Sequence, residues 1–148
     1  METDRRCRAH RDRGGRTKPR LTTRIEDLPI ALRRYAAGGL CAEAAVELLI
    51  RHGQWLGHDG FVGRFVESAT GTDGEMAWVE WEEAVGAVAA GSLCCSSSEA
   101  RMLSVAASIA AGAPVDLGDA RTGLDERNVF LVAAAVVHAS GHAGLLTW

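Results

Sequence analysis

The stretch Leu124-Asp125-Glu126-Arg127-Asn128-Val129-Phe130-Leu131-Val132-Ala133-Ala134-Ala135-Val136-Val137-His138 decides how the chain folds. Asp125 is a favoured N-cap, because its carboxylate accepts from amides that a first helical turn leaves without partners. Leu124 ahead of it is placed to staple onto Val129. From Val129 to Val137 the sequence is apolar without a break. Periodicity alone fits a buried strand as well as a buried helix there. The cap and the three consecutive alanines decide for helix. Apolarity on every side makes it the expected buried centre of a bundle.

Working back towards the N-terminus, further helical segments follow. Asp116 caps a short helix that Gly123 stops. Ser96-Ser97-Ser98-Glu99 fits a capping box, in which Ser96 serves the amide of Glu99 and Glu99 reaches back. The helix it starts runs through Met102, Leu103, Ala106 and Ala110 to Gly112 and Pro114. Glu75 to Ala90 has helical spacing, with Ala77, Trp81, Ala84, Val85 and Val88 inward and Glu80 and Glu83 outward. Ser68 to Gly74 is polar, contains glycine and makes the best internal boundary. Phe61, Val62, Phe65 and Val66 define a weaker helix after Asp59.

In Cys41 to His52, residues Ala45, Leu48, Leu49 and His52 share one face, opposite Glu43, Glu47 and Arg51. Cys41 falls on the apolar side, and Gly53 supplies a left-handed stop. A first helix starts at Asp27, carries Pro29 in its first turn and ends at Gly38-Gly39. The expected fold class is therefore all-α: a compact bundle of about five main helices plus one short helix. It forms a single helical domain over residues 25–148, with any subdivision falling at 68–74.

Composition agrees with one core. The chain has 148 residues, 47% hydrophobic but only 5% aromatic, so Ala, Val and Leu must build most of the interior. The net charge of −3 hides an asymmetry. Residues 1–24 carry nine basic side chains against Glu2, Asp4 and Asp12, a net +6 that leaves −9 for residues 25–148. This arm has almost no large apolar residues and reads as a disordered basic tail. Domain-like patterning begins at Leu21-Thr22-Thr23. Residues 1–20 therefore read most simply as an extension, with Leu21 as an alternative start that the mass of the native N-terminus would decide. No basic stretch is followed closely by an apolar one, and no window reaches the ~20 apolar residues of a membrane span. A cytoplasmic location and no membrane association are expected.

The candidate chemistry is sparse. Cys94 and Cys95 are adjacent and no C-x-x-C pair occurs, which argues against zinc ribbons and thioredoxin-type sites. His138 and His142 are four apart and, joined by Cys94 or Cys95, would make a Cys/His zinc site. Against it, the Glu of H-E-x-x-H is missing and Gly141 is placed to end the helix before His142. The simpler reading has His138 serving the helix C-terminus. No metal or other cofactor is assigned. No G-x-S-x-G, Walker-type or G-x-G-x-x-G pattern occurs, and nothing argues for an enzyme.

A helix-turn-helix reading of residues 27–67 fails because the third helix offers Arg64 alone as a base. Arg5, Arg6, Arg8, Arg11, Arg13 and Arg16 in the arm could hold nucleic acid weakly, without reading sequence and with strong salt dependence. The remaining surface candidate is Trp78 with the acids Glu80, Glu82 and Glu83.

Three segments carry a resemblance: Asp27-Leu28-Pro29 to Arg34-Tyr35, Ala44-Ala45-Val46-Glu47-Leu48-Leu49, and Gly123-Leu124-Asp125-Glu126-Arg127-Asn128. Over residues 22–142 the chain resembles small helical proteins of high-GC actinobacteria. That resemblance implies no activity and carries over no functional residue. The expected function is a non-enzymatic protein-interaction or regulatory module with a protein partner. Non-specific nucleic-acid binding through the arm is the first alternative, and a metal-dependent or small-molecule enzyme the second.

Overall fold

The computed structural model describes residues 21–146 and 148. Arm residues 1–20, with all six arginines named above, lie outside the described residues. Seven α-helices and one β-hairpin are present among the described residues. The helices are α1 (Leu28–Ala36), α2 (Leu40–His52), α3 (Asp59–Phe65), α4 (Trp81–Ala89), α5 (Ser97–Ala111), α6 (Leu117–Thr122) and α7 (Glu126–Ala139). The strands β1 (Val66–Gly71) and β2 (Gly74–Val79) stand between α3 and α4. The chain is mostly helical, but it is not purely α.

The hairpin is the main correction. Strands β1 and β2 pair antiparallel, with Val66 opposite Val79 and Gly71 opposite Gly74, around the two-residue turn Thr72-Asp73. The turn is closed by Gly74 at φ +112°, a left-handed conformation natural to glycine. Val66 and Ser68 on β1, with Ala77 and Val79 on β2, point inward and are buried. The polar stretch 68–74 is therefore strand and turn. Only the second half of the segment 75–90 is helical.

Several local signals act as their residue types require. Asp125 accepts from the amide of Asn128 at 2.8 Å, and Asp116 from those of Gly118 and Asp119. Ser96 and Glu99 form the reciprocal capping box at the start of α5. Gly53 and Gly112 close α2 and α5 at φ +80° and +70°. Thr22 and Thr23 are tied to the fold: the Thr22 amide donates to Ser68 Oγ at 3.1 Å, and the Thr23 hydroxyl donates to Glu75.

The centre of the bundle is α2, not α7. Ala44, Ala45, Val46, Leu48, Leu49 and His52 of α2 are all buried, and the helix packs against α1, α5 and α7. Helix α7 buries Asn128, Leu131, Ala134 and Ala135. It leaves Val129, Phe130 and Val136 at 44–53% exposed. Leu131, Ala134 and Ala135 face the core, while Val129, Phe130 and Val136 face outward. Cys41 is likewise exposed rather than on the buried face.

Two apolar clusters result. One joins α1, α2, Trp55, α3, the hairpin and α4. The other joins α2, α5, α6 and α7 around Ala44, Ala45, Leu48, Met102, Ala106 and Leu131. Trp81 packs against both. No described helix is long and apolar enough to cross a membrane.

Candidate functional site

The surface singled out around Trp78 lies where α1 meets the outer face of the hairpin. Trp78 alternates outward between the buried Ala77 and Val79, as strand geometry demands. Its ring is half-buried and lies 5.2 Å from that of Tyr35 on α1, tilted by 34°. Tyr35 itself is 56% exposed. The Trp78 indole N–H donates to Glu80 Oε1 at 3.0 Å, which fixes the ring's outer edge. Arg34, beside Tyr35, donates from Nη1 to the Glu75 carbonyl at 2.6 Å.

Glu80 occupies the N-cap position of α4 and Glu82 and Glu83 its first turn. Carboxylates there are favoured by the helix dipole. Glu82 and Glu83 are exposed. Of the four residues named from the sequence, the structure brings Trp78 and Glu80 into contact and sets Glu82 and Glu83 on the adjoining turn. Tyr35 is the member that sequence reading missed. Its signal was weak: one aromatic among Arg33, Arg34 and Ala36 on the polar side of a helix.

The histidine and cysteine candidates are not brought together. His138 Nε2 lies 3.0 Å from Glu43 Oε2, near the start of α2. The amide of Gly38 first, and His138 second, hold the Glu43 carboxyl below the usual carboxylate range. Helix α7 stops at Ala139, Gly141 turns left-handed at φ +80°, and His142 Nδ1 meets Ser140 Oγ at 3.1 Å instead. The Cys94 carbonyl meets His58 Nε2 at 2.8 Å, beyond the far end of α2. Since Trp55 also bonds Glu99 there, about 14 Å of helix separates the two groups at 1.5 Å per residue. Burial, then Glu99, pushes the Cys95 thiol above its ordinary value, so it is a poor thiolate. Among the described residues no three His, Cys, Asp or Glu side chains gather to hold a metal ion.

His52 is a titratable group on the buried face of α2, 5% exposed, with Nδ1 lacking a hydrogen-bond partner. Burial, the largest influence, holds its imidazole below the ordinary value. Glu99 and Asp125 pull the other way, and Arg127 adds to the depression. The fold therefore keeps the ring neutral, whereas an unfolded histidine takes a proton near pH 6.5. As pH falls below about 6.5 the unfolded state binds the extra proton and stability declines. Urea midpoints at about pH 7.5 and 5.5 should separate for the wild type, and separate less for His52→Leu. Equal separations in the two proteins would remove His52 as the cause.

Compared with protein-family models, curated proteins and solved structures, the chain has no match.

Proposed function

We propose that the chain is a cytoplasmic, non-enzymatic protein-interaction module that docks its partner over the Tyr35–Trp78 surface. The observation that carries this reading is the tilted, partly exposed aromatic pair held between α1 and β2. Tyr, Trp and Arg dominate the energetics of protein interfaces, because they bury large area with few rotors to freeze. Here the pair is already ordered: Tyr35 supports one side of the indole, and Glu80 holds its N–H. A partner meets a preorganised platform, which lowers the entropy lost on docking.

The acids at the start of α4 give the platform a sign. Glu80, Glu82 and Glu83 follow Trp78 almost directly, and residues 25–148 carry a net −9. The partner segment is apolar with flanking Lys or Arg, so that an aliphatic or aromatic side chain covers the indole while cations meet the carboxylates. Opposite charges at such a rim act on association rate and partner choice more than on affinity.

The test compares wild type with Trp78→Ala and Glu82→Lys, each checked for native circular dichroism. A partner captured by the wild type should bind Trp78→Ala about 30-fold or more weakly, the scale of a hot-spot loss. Glu82→Lys should slow association and reduce its salt dependence. A partner retained equally by Trp78→Ala would place the contact elsewhere and overturn the reading.

A further inference from the structure

A second site, far from the aromatic platform in sequence and chemistry, lies between α5 and the segment leading into α6. It is a cleft of about 370 Å³ lined by Ser97, Arg101 and Ser104 of α5 and by Val115, Asp116 and Asp119 opposite. That volume lies at the small end of the range that holds small ligands.

Arg101 is the group that calls for explanation. Its side chain is only 25% exposed, and its closest carboxylate, Asp119, stands 3.8 Å from Nη2. Its Nε is fully buried with no hydrogen-bond partner. A guanidinium carries five donors in a rigid fork, and leaving buried donors unsatisfied costs free energy. A ligand in the cleft does not reach that Nε, but the rest of the guanidinium, on a side chain 25% exposed, can give a planar oxyanion two parallel N–H bonds at once. The guanidinium is also held in place by shape. A methyl group on Gly123 would collide with Nη1 and stand 2.7 Å from Cζ, so only glycine there lets the fork lie where it does.

The other charges decide which oxyanion fits. Asp116 and Asp119 also line the cleft, so it holds one cation and two anions. A phosphate or a plain carboxylate would satisfy Arg101 but meet both acids. Asp119 is 73% exposed and poorly engaged by Arg101 at 3.8 Å, so it can receive a cation. Asp116 spends Oδ1 on the amides of Gly118 and Asp119. Ser97 and Ser104 add hydroxyls on the α5 side, and Ala100, Val115 and Ala120 make the remaining wall apolar.

We propose that this cleft binds a small zwitterion of the α-amino-acid class with a short aliphatic side chain. The carboxylate lies on the Arg101 fork, the ammonium faces Asp119, and the side chain rests against Val115 and the alanines. This site is independent of the proposed protein-docking surface, and either can fail without the other.

The test is a titration of the full-length, ¹⁵N-labelled chain followed by amide NMR. The probes are L-valine, isobutylamine (valine without its carboxylate), acetate and inorganic phosphate. L-Valine should give saturable shifts at Ser97, Ser104 and Asp119, and the three other probes should bind about 10-fold or more weakly. Arg101→Gln should weaken L-valine by about 10- to 100-fold, the range for a lost charged hydrogen-bond pair. Asp119→Asn, at an exposed position that does not endanger folding, should weaken L-valine while acetate, freed of one repelling carboxylate, binds no more weakly than to the wild type. Gly123→Ala should displace the fork and weaken L-valine with little loss of thermal stability. The proposal is overturned if L-valine gives no saturable shift at these amides. It is equally overturned if phosphate binds there as well as L-valine does, or if L-valine binds Asp119→Asn undiminished.

Discussion

Trp55→Ala is expected to lower the unfolding free energy by about 3–5 kcal/mol, the range for removing a large buried aromatic. Trp55 is 1% exposed and sits in the short turn after α2. Its ring packs 5.0 Å from Phe61 and 5.5 Å from His58, both from the segment that starts α3. Its indole N–H donates to the Glu99 carbonyl in the first turn of α5 at 3.1 Å. One side chain thus ties the turn after α2 and the start of α3 to α5, which is distant in sequence. Removing it leaves a cavity among aromatic neighbours and loses the bond to α5.

A fall in melting temperature of roughly 10–20 °C would accompany a loss of this size in a domain of about this length. Trp55→Phe separates the two contributions: it keeps the ring contact and loses the hydrogen bond, for about 1–2 kcal/mol. Chemical unfolding of the three proteins checks the order. A loss below about 1 kcal/mol for Trp55→Ala would mean that the cavity collapses and that Trp55 is not the anchor of the first cluster.

Of the four Trp only Trp55 is fully buried, while Trp78, Trp81 and Trp148 are half-buried, so the presence of Trp alone does not mark the anchor. The helix caps were legible in the sequence, because a cap depends only on residues three or four apart: Asp125, Ser96 with Glu99, Asp116, and the glycine stops at Gly53 and Gly112. The hairpin was not. Val66 and Phe65 complete a helical spacing with Phe61 and Val62, and Ala77 extends one with Trp81 and Ala84, so both strands overlap helical patterns at their ends. The deciding signal was the short turn Thr72-Asp73-Gly74 flanked by Val66, Thr70, Trp78 and Val79.

The role of α7 was misread for a different reason. Hydrophobicity tells how much a helix could bury, not which neighbours are close enough to cover it. With α2 occupying the centre, Val129, Phe130 and Val136 of α7 are left 44–53% exposed. The Tyr35–Trp78 platform and the Arg101 cleft share this limit. Each joins residues more than ten positions apart, and neither has a local pattern. Arg101 in particular reads in sequence as an ordinary polar residue in the first turns of a helix.

Leu48→Ala should cost about 2–5 kcal/mol, nearly as much as the loss of Trp55. Leu48 is 1% exposed and belongs to the second cluster, between Ala44 and Ala45 of its own helix and residues of α5 and α7. The alanines that bring these helices close also leave little slack to fill a hole, so the cost should fall in the upper half of the range. The two substitutions together address whether the clusters are one folding unit. Both are built on α2, and Trp81 packs against each. Unfolding of Leu48→Ala should therefore remain a single transition, coincident by tryptophan fluorescence and far-ultraviolet circular dichroism. Because Leu48 and Trp55 belong to different clusters, the double variant should lose the sum of the two single effects within about 0.5 kcal/mol. Two separated transitions would show instead that the helices α5 to α7 can unfold while α1, the hairpin and α4 persist, and α2 would then be a boundary rather than a common core.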